Sequence, residues 1–150
     1  MTLPYETASS GKHALGEIER ILSKFGAQQF GHMTDYEKGE LIIQFRYCDM
    51  PIIVRASGKG YAVRWLKEHP WSHRMQKSRI EHERRALEIG NIAVYSMLRD
   101  WIKGQIGAVE TGILSFEGAF LGQIMLPDGG TVLDAITNKG LLRLPKPVAA

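Results

Sequence analysis

AQQFGHMTDYEKGELIIQFRYCDMPIIVRAS, residues 27–57, decides the fold. Three short segments, AQQFGHMT (27–34), GELIIQFRY (39–47) and MPIIVRAS (50–57), are rich in β-branched and aromatic residues. The pieces between them, DYEKG (35–39) and CDMP (48–51), supply the Gly, Asp and Pro that reverse a chain. The second reversal is short, so the second and third strands form a hairpin. In the second strand Leu41, Ile43, Phe45 and Tyr47 point one way, while Ile42, Gln44, Arg46 and Cys48 point the other, giving a dry face and a half-wet one. A three-stranded sheet of this kind needs helices on its dry side.

The flanking sequence provides them. Over residues 10–25, Leu15, Ile18, Leu22 and Phe25 recur at helical spacing, with Ser9 or Ser10 as the cap and Gly26 as the stop. On the other side, Ser57 caps a helix over 60–69 whose buried stripe is Tyr61, Ala62, Trp65 and Leu66, and Pro70 ends it. Ser78 and Glu81 form an S-x-x-E capping box at the start of the longest helix. That helix is polar at first and then apolar on most sides from Ile92 to Ile102. Val94, Met97, Leu98 and Trp101 there can form the core of one chain or the seam of a homodimer or larger assembly. A short segment near 115–122, a strand-like QIML (123–126), the turn PDGG (127–130) and a helix capped by Thr131 and ending near Gly140 form a small C-terminal unit. Residues 139–150 read as a tail docked through its leucines. The expected class is α+β: an N-terminal helix, a three-stranded antiparallel sheet, then long helices and the small C-terminal unit, in one domain spanning 1–150.

Composition fits a folded chain: 44% of the 150 residues are hydrophobic and 23% charged. A domain of this length buries about 68–70% of the surface its unfolded chain exposes. No apolar run approaches the roughly 18 residues of a membrane span, and the first residues lack the apolar region of a secretory signal. The single cysteine, Cys48, permits no intrachain disulfide and fits a reducing cytoplasm, where it reads as a small packing residue of a strand.

The formal net charge is only +3, but residues 61–86 carry seven Lys/Arg against three Glu. This local excess says more about partners than the total does. HPWSHRMQKSRIEHERRA (69–86) alone holds three histidines, five of those cations and a tryptophan. Four kinds of chemistry compete for these residues. A metal site would need His69, His73 and His82 to converge, yet Pro70 breaks the helix between the first two and no cysteine is near. A restriction-type nuclease would need an acid-x-Lys on the third strand, which PIIVRAS lacks; Asp35, Glu37 and Glu40 cluster instead at a turn. SGKG (57–60), like SSGKHA (9–14), sits at a helix start where Ser57, Lys59 and free N–H groups could hold a phosphate, without the spacing of a nucleotide-hydrolysing loop. Nucleic-acid binding asks for cations that neutralise phosphates, here Arg64, Lys67, Arg74, Lys77, Arg79, Arg84 and Arg85, and for an aromatic that stacks on bases, here Trp71. The bland alternative is a solvated basic helix face.

LRDWIKGQIGAVETGILSFEGAFLGQIMLPDGGTV (98–132), and with it KGYAVRWLKEHPW (59–71), resembles small proteins encoded by bacteriophages and prophages. The resemblance implies a mobile-element context and a bacterial cytoplasm, and carries no functional residue with it. The expectation is a non-enzymatic nucleic-acid-binding protein, for DNA or RNA, with no cofactor, no metal and no membrane partner. The rival is an inhibitor or sponge that binds a host defence protein or a nucleotide signal.

Overall fold

The computed structural model describes residues 2–142. The tail is expected to dock through its leucines, but Leu141 and Leu142 are both exposed and do not dock; Leu144 lies outside the described residues. The element order is α1 (Gly11–Phe25), β1 (Gln29–Asp35), β2 (Glu40–Tyr47), β3 (Met50–Ser57), α2 (Gly58–Glu68), α3 (Arg79–Glu110), α4 (Phe116–Phe120), a 3-10 turn (Leu121–Gln123) and α5 (Val132–Asn138). This is the α+β arrangement expected from the sequence.

The sheet is antiparallel in the order β1-β2-β3. Leu41, Ile43 and Phe45 are buried and Tyr47 half-buried, so the alternation along β2 reads as expected. α1 and α3 cover that face. α1 contributes Ile18 and Leu22, and α3 contributes Val94, Leu98, Ile102 and Ile106, to one core with Phe116 and Phe120. The apolar half of α3 is therefore core within a single chain, with Met97 and Trp101 packed at its margin. On α1 the buried face runs through Ala14 rather than Leu15, which is half-buried.

Helix starts follow the caps written in the sequence. Ser10, Ser57, Ser78, Ser115 and Thr131 each accept a first-turn N–H, and Thr131 with Asp134 makes a reciprocal capping box. Gly26 and Gly140 follow helix ends in the left-handed conformation.

Two expectations are corrected. Cys48 is not a strand packing residue. It is exposed in the β2–β3 turn, where Cys48 and Asp49 both take positive φ (49° and 62°), as a two-residue type I′ hairpin requires. QIML does not form a strand. Ile124 and Met125 make isolated bridges to Ile52 and Thr131, and the Met125 N–H donates to the Pro51 carbonyl at 2.8 Å. The segment nevertheless matters: it caps the free edge of β3. The following helix, α5, places Leu133 on the same cleft as Ile53, which is only 4% exposed although it points to the nominally wet side.

α2 and α3 form a helical hairpin with a smaller core of its own: Leu3, Ala62, Trp65 and Ala86, flanked by Tyr61, Leu66 and Ile89. Glycines let the two backbones approach. A Cβ on Gly90 would stand 2.7 Å from the Gly58 carbonyl oxygen and 3.2 Å from the Ala62 nitrogen. No helix among the described residues is long and apolar enough to cross a membrane.

Candidate nucleic-acid interface

The basic segment occupies the far end of this hairpin. α2 stops at Glu68 because Pro70 follows, and α3 restarts at Arg79 behind Ser78, whose Oγ accepts the Glu81 N–H at 3.2 Å. The ten residues between are closed by side chains. The Trp71 indole N–H donates to the Lys77 carbonyl at 2.8 Å, and His82 Nε2 lies 2.6 Å from the His69 carbonyl. The ends of the two helices are thus tied together, and the loop is held as a tip.

Two of the three histidines are structural. The His69 ring stacks on Trp65, with centroids 4.4 Å apart and planes 13° from parallel, while His82 lies against the same indole at 5.2 Å. His69 also reaches the Trp65 carbonyl through Nδ1 (3.1 Å) and Glu6 Oε1 through Nε2 (3.2 Å). His82 is 2% exposed, and its Nδ1 has no hydrogen-bond partner among the described residues. His73 is exposed and meets Trp71 edge-on at 4.7 Å. Among the described residues no group of three or more His, Cys, Asp or Glu side chains could hold a metal ion. Asp35 and Glu40 face each other across the β1–β2 register, with Asp35 Oδ1 accepting the Lys38 N–H at 3.0 Å.

The seven cations divide into two groups. Lys67, Arg74, Lys77 and Arg79 lie at the tip, on the last turn of α2, the loop and the first residue of α3. No ion pair to Lys67, Arg74 or Lys77 is found among the described residues, whereas Arg79 pairs with Glu83 at 3.3 Å. Arg64, Arg84 and Arg85 stand further back. Arg64 is 3.9 Å from Glu68, and Arg85 is 3.3 Å from Glu88. Residues on a helix are separated by roughly 100° per position, so Arg79, Arg84 and Arg85 leave α3 in three different directions. The cations do not all share one face. The structure gathers four of them at the tip and spreads three around the shaft.

The pairs that exist are weak. Arg79 is 74% exposed and Glu83 51%, and an exposed i,i+4 pair contributes about 0.3–0.5 kcal/mol, so a phosphate can displace the carboxylate. The N-terminal end of α3, with its partial positive charge, points to the same tip. Trp71 is half-buried; its N–H is engaged with Lys77.

At the other candidate anion site, the start of α2, two of the first-turn N–H groups already have partners. Gly60 N–H donates to Ser57 Oγ at 2.8 Å, and Lys59 N–H to the Gly39 carbonyl at 3.1 Å. Ser57 acts as a helix cap and Gly58 as a packing residue against Asn91, which leaves the exposed Lys59 ammonium as the group that can meet an anion there. Sequence reasoning missed this packing role because a glycine's contact partner lies elsewhere in the chain.

No family model, curated protein or solved structure matches this chain. The functional reading therefore rests on geometry and charge.

Proposed function

We propose that the protein is a non-enzymatic nucleic-acid-binding protein that contacts the phosphate backbone through the tip of the α2–α3 hairpin. The observation that carries this reading is the concentration of Lys67, Arg74, Lys77 and Arg79 at one end of the hairpin, three of them without a carboxylate partner among the described residues. Backbone phosphates supply the complementary charge, and such contacts position a protein without reading sequence. Trp71 and His73, joined edge to face in the same loop, offer an aromatic surface to an unpaired base. Arg64, Arg84 and Arg85 add field rather than a shared contact plane. The bacteriophage-type context proposed from residues 98–132 agrees with a small protein of this kind, and a homodimer would present two tips.

The test is a mobility-shift titration of labelled single-stranded and duplex oligonucleotides. The wild type is compared with the triple variant Arg74→Ala, Lys77→Ala, Arg79→Ala. We expect the triple variant to bind at least about tenfold more weakly, roughly half a kcal/mol for each lost contact. Equal binding by the two proteins contradicts the assignment. Affinity purification from bacterial lysate, with and without nuclease, separates the rival reading: a discrete protein partner that survives nuclease favours an inhibitor of a host component.

A further inference from the structure

The outer face of the sheet carries a second polar site, remote in sequence from the hairpin tip. By register Gln29, Arg46 and Pro51 form one row across the three strands, and Gly31, Gln44 and Ile53 form the next. The C-terminal unit overhangs this face at β3, where Met125 is bonded to Pro51. A cavity of about 410 Å³ opens there, lined among others by Gln29, Gly31, Gln44, Arg46, Pro51 and Met125. That volume is within the roughly 300–1,000 Å³ range of small-ligand sites.

Arg46 is the informative residue. It is half-buried, its Nε is shielded from solvent, and that nitrogen has no hydrogen-bond partner among the described residues. No ion pair to Arg46 is found among the described residues. An arginine that stays charged at all relevant pH, with a buried donor left unmade, is unfavourable unless something answers it. Two primary amides, Gln29 and Gln44, flank it with further donors. The floor beside them is Gly31, and a Cβ built there would meet nothing within 4 Å, so the absent side chain leaves open space rather than relieving a clash. Pro51 and the Met125 thioether supply an apolar wall that an inorganic ion would leave uncovered, and a thioether favours an aromatic ring.

We infer that this cavity binds a small organic oxyanion: a carboxylate or phosphate monoester on a compact aromatic body. The head lies on the Arg46 guanidinium between the two glutamine amides, in the fork geometry that suits both head groups. The ring lies against Pro51 and Met125.

The test is a titration of the full chain with benzoate, phenyl phosphate and neutral benzamide, followed by amide and guanidinium N–H resonances. We expect saturable shifts at the Gln29 and Gln44 side-chain amides and at Arg46 Nε–H for at least one oxyanion, with Kd below about 1 mM and binding of benzamide at least about tenfold weaker. Which oxyanion binds more tightly tells a carboxylate ligand from a phosphate one. Arg46→Gln and Gly31→Leu should each weaken binding at least about tenfold. The leucine grows into open space on a strand and leaves the fold intact, which its spectrum verifies independently of the arginine variant. The inference is overturned if neither oxyanion gives saturable shifts at these residues, if benzamide binds equally well, or if Gly31→Leu binds like the wild type. None of these outcomes bears on the hairpin tip, which the oligonucleotide titration tests separately.

Discussion

Gly90 illustrates how a single residue governs the hairpin. An alanine inside a helix ordinarily gains about 1 kcal/mol over glycine. Here its Cβ would meet the Gly58 carbonyl at 2.7 Å, and a backbone oxygen cannot swing aside as a side chain can. Overpacking of this kind costs about 1–3 kcal/mol, so Gly90→Ala should lower the denaturation midpoint despite the better helix propensity. The Tyr5–Asp100–Arg99 group makes a pH prediction. The Tyr5 hydroxyl donates to Asp100 Oδ2 at 2.6 Å, and Arg99 Nε to Oδ1 at 3.0 Å. Hydrogen bonds from Arg99 and then Tyr5 hold the Asp100 carboxyl below its ordinary range, and the bond to Asp100 raises the Tyr5 phenol. A depressed carboxyl contributes stability that is present above the unfolded value and lost as pH falls through the folded one, so this contribution disappears below about pH 4. A raised phenol contributes stability present below its unfolded value and lost above about pH 10. Melting measured from pH 3 to 11 should decline at both ends, and Asp100→Asn should flatten both declines. At this scale the sequence was legible where a residue acts on its neighbours, as Ser57 and Ser78 do in capping their helices. It was opaque where the partner is distant, as for Gly58 with Asn91, or Tyr5 with Asp100.

Among the elements, the β2–β3 hairpin was the easiest to foresee and still held a surprise. The alternation of Leu41, Ile43 and Phe45 dictates register, because a one-residue slip would turn all three toward water. The turn itself uses Cys48 and Asp49 in a conformation that favours asparagine followed by glycine. Each such residue carries a strain of about 1 kcal/mol or more. The double substitution Cys48→Asn, Asp49→Gly should therefore raise stability by about 1 kcal/mol in a denaturant titration while the sheet register is unchanged. The QIML segment reads as a strand because its apolar run resembles one. Its actual use is to bridge to Ile52 and lead into a short helix beside Ile53, a tertiary demand that no local period encodes.

For the molecule as a whole, the division into two cores explains the placement of charge. The larger core fixes the sheet against α1 and α3, and the smaller one, built on Trp65, holds the tip. Trp65→Ala should cost about 3–5 kcal/mol, a large part of the roughly 5–15 kcal/mol available to a domain, and should weaken oligonucleotide binding although no charge is altered. In the sequence the basic segment reads as one outward surface; the structure divides its cations between the tip and the shaft. Helical geometry sends Arg84 and Arg85 apart, and only the folded loop brings Arg74 and Lys77 to the same end of the hairpin as Lys67. The most direct test of the tip is the dependence of oligonucleotide affinity on salt. Four phosphate contacts predict that the logarithm of the association constant falls with the logarithm of salt concentration with a slope of about −3 to −4, and that the Arg74, Lys77, Arg79 triple-alanine variant retains a slope of about −1. A wild-type slope near zero, or the same slope in both proteins, would contradict binding through these residues.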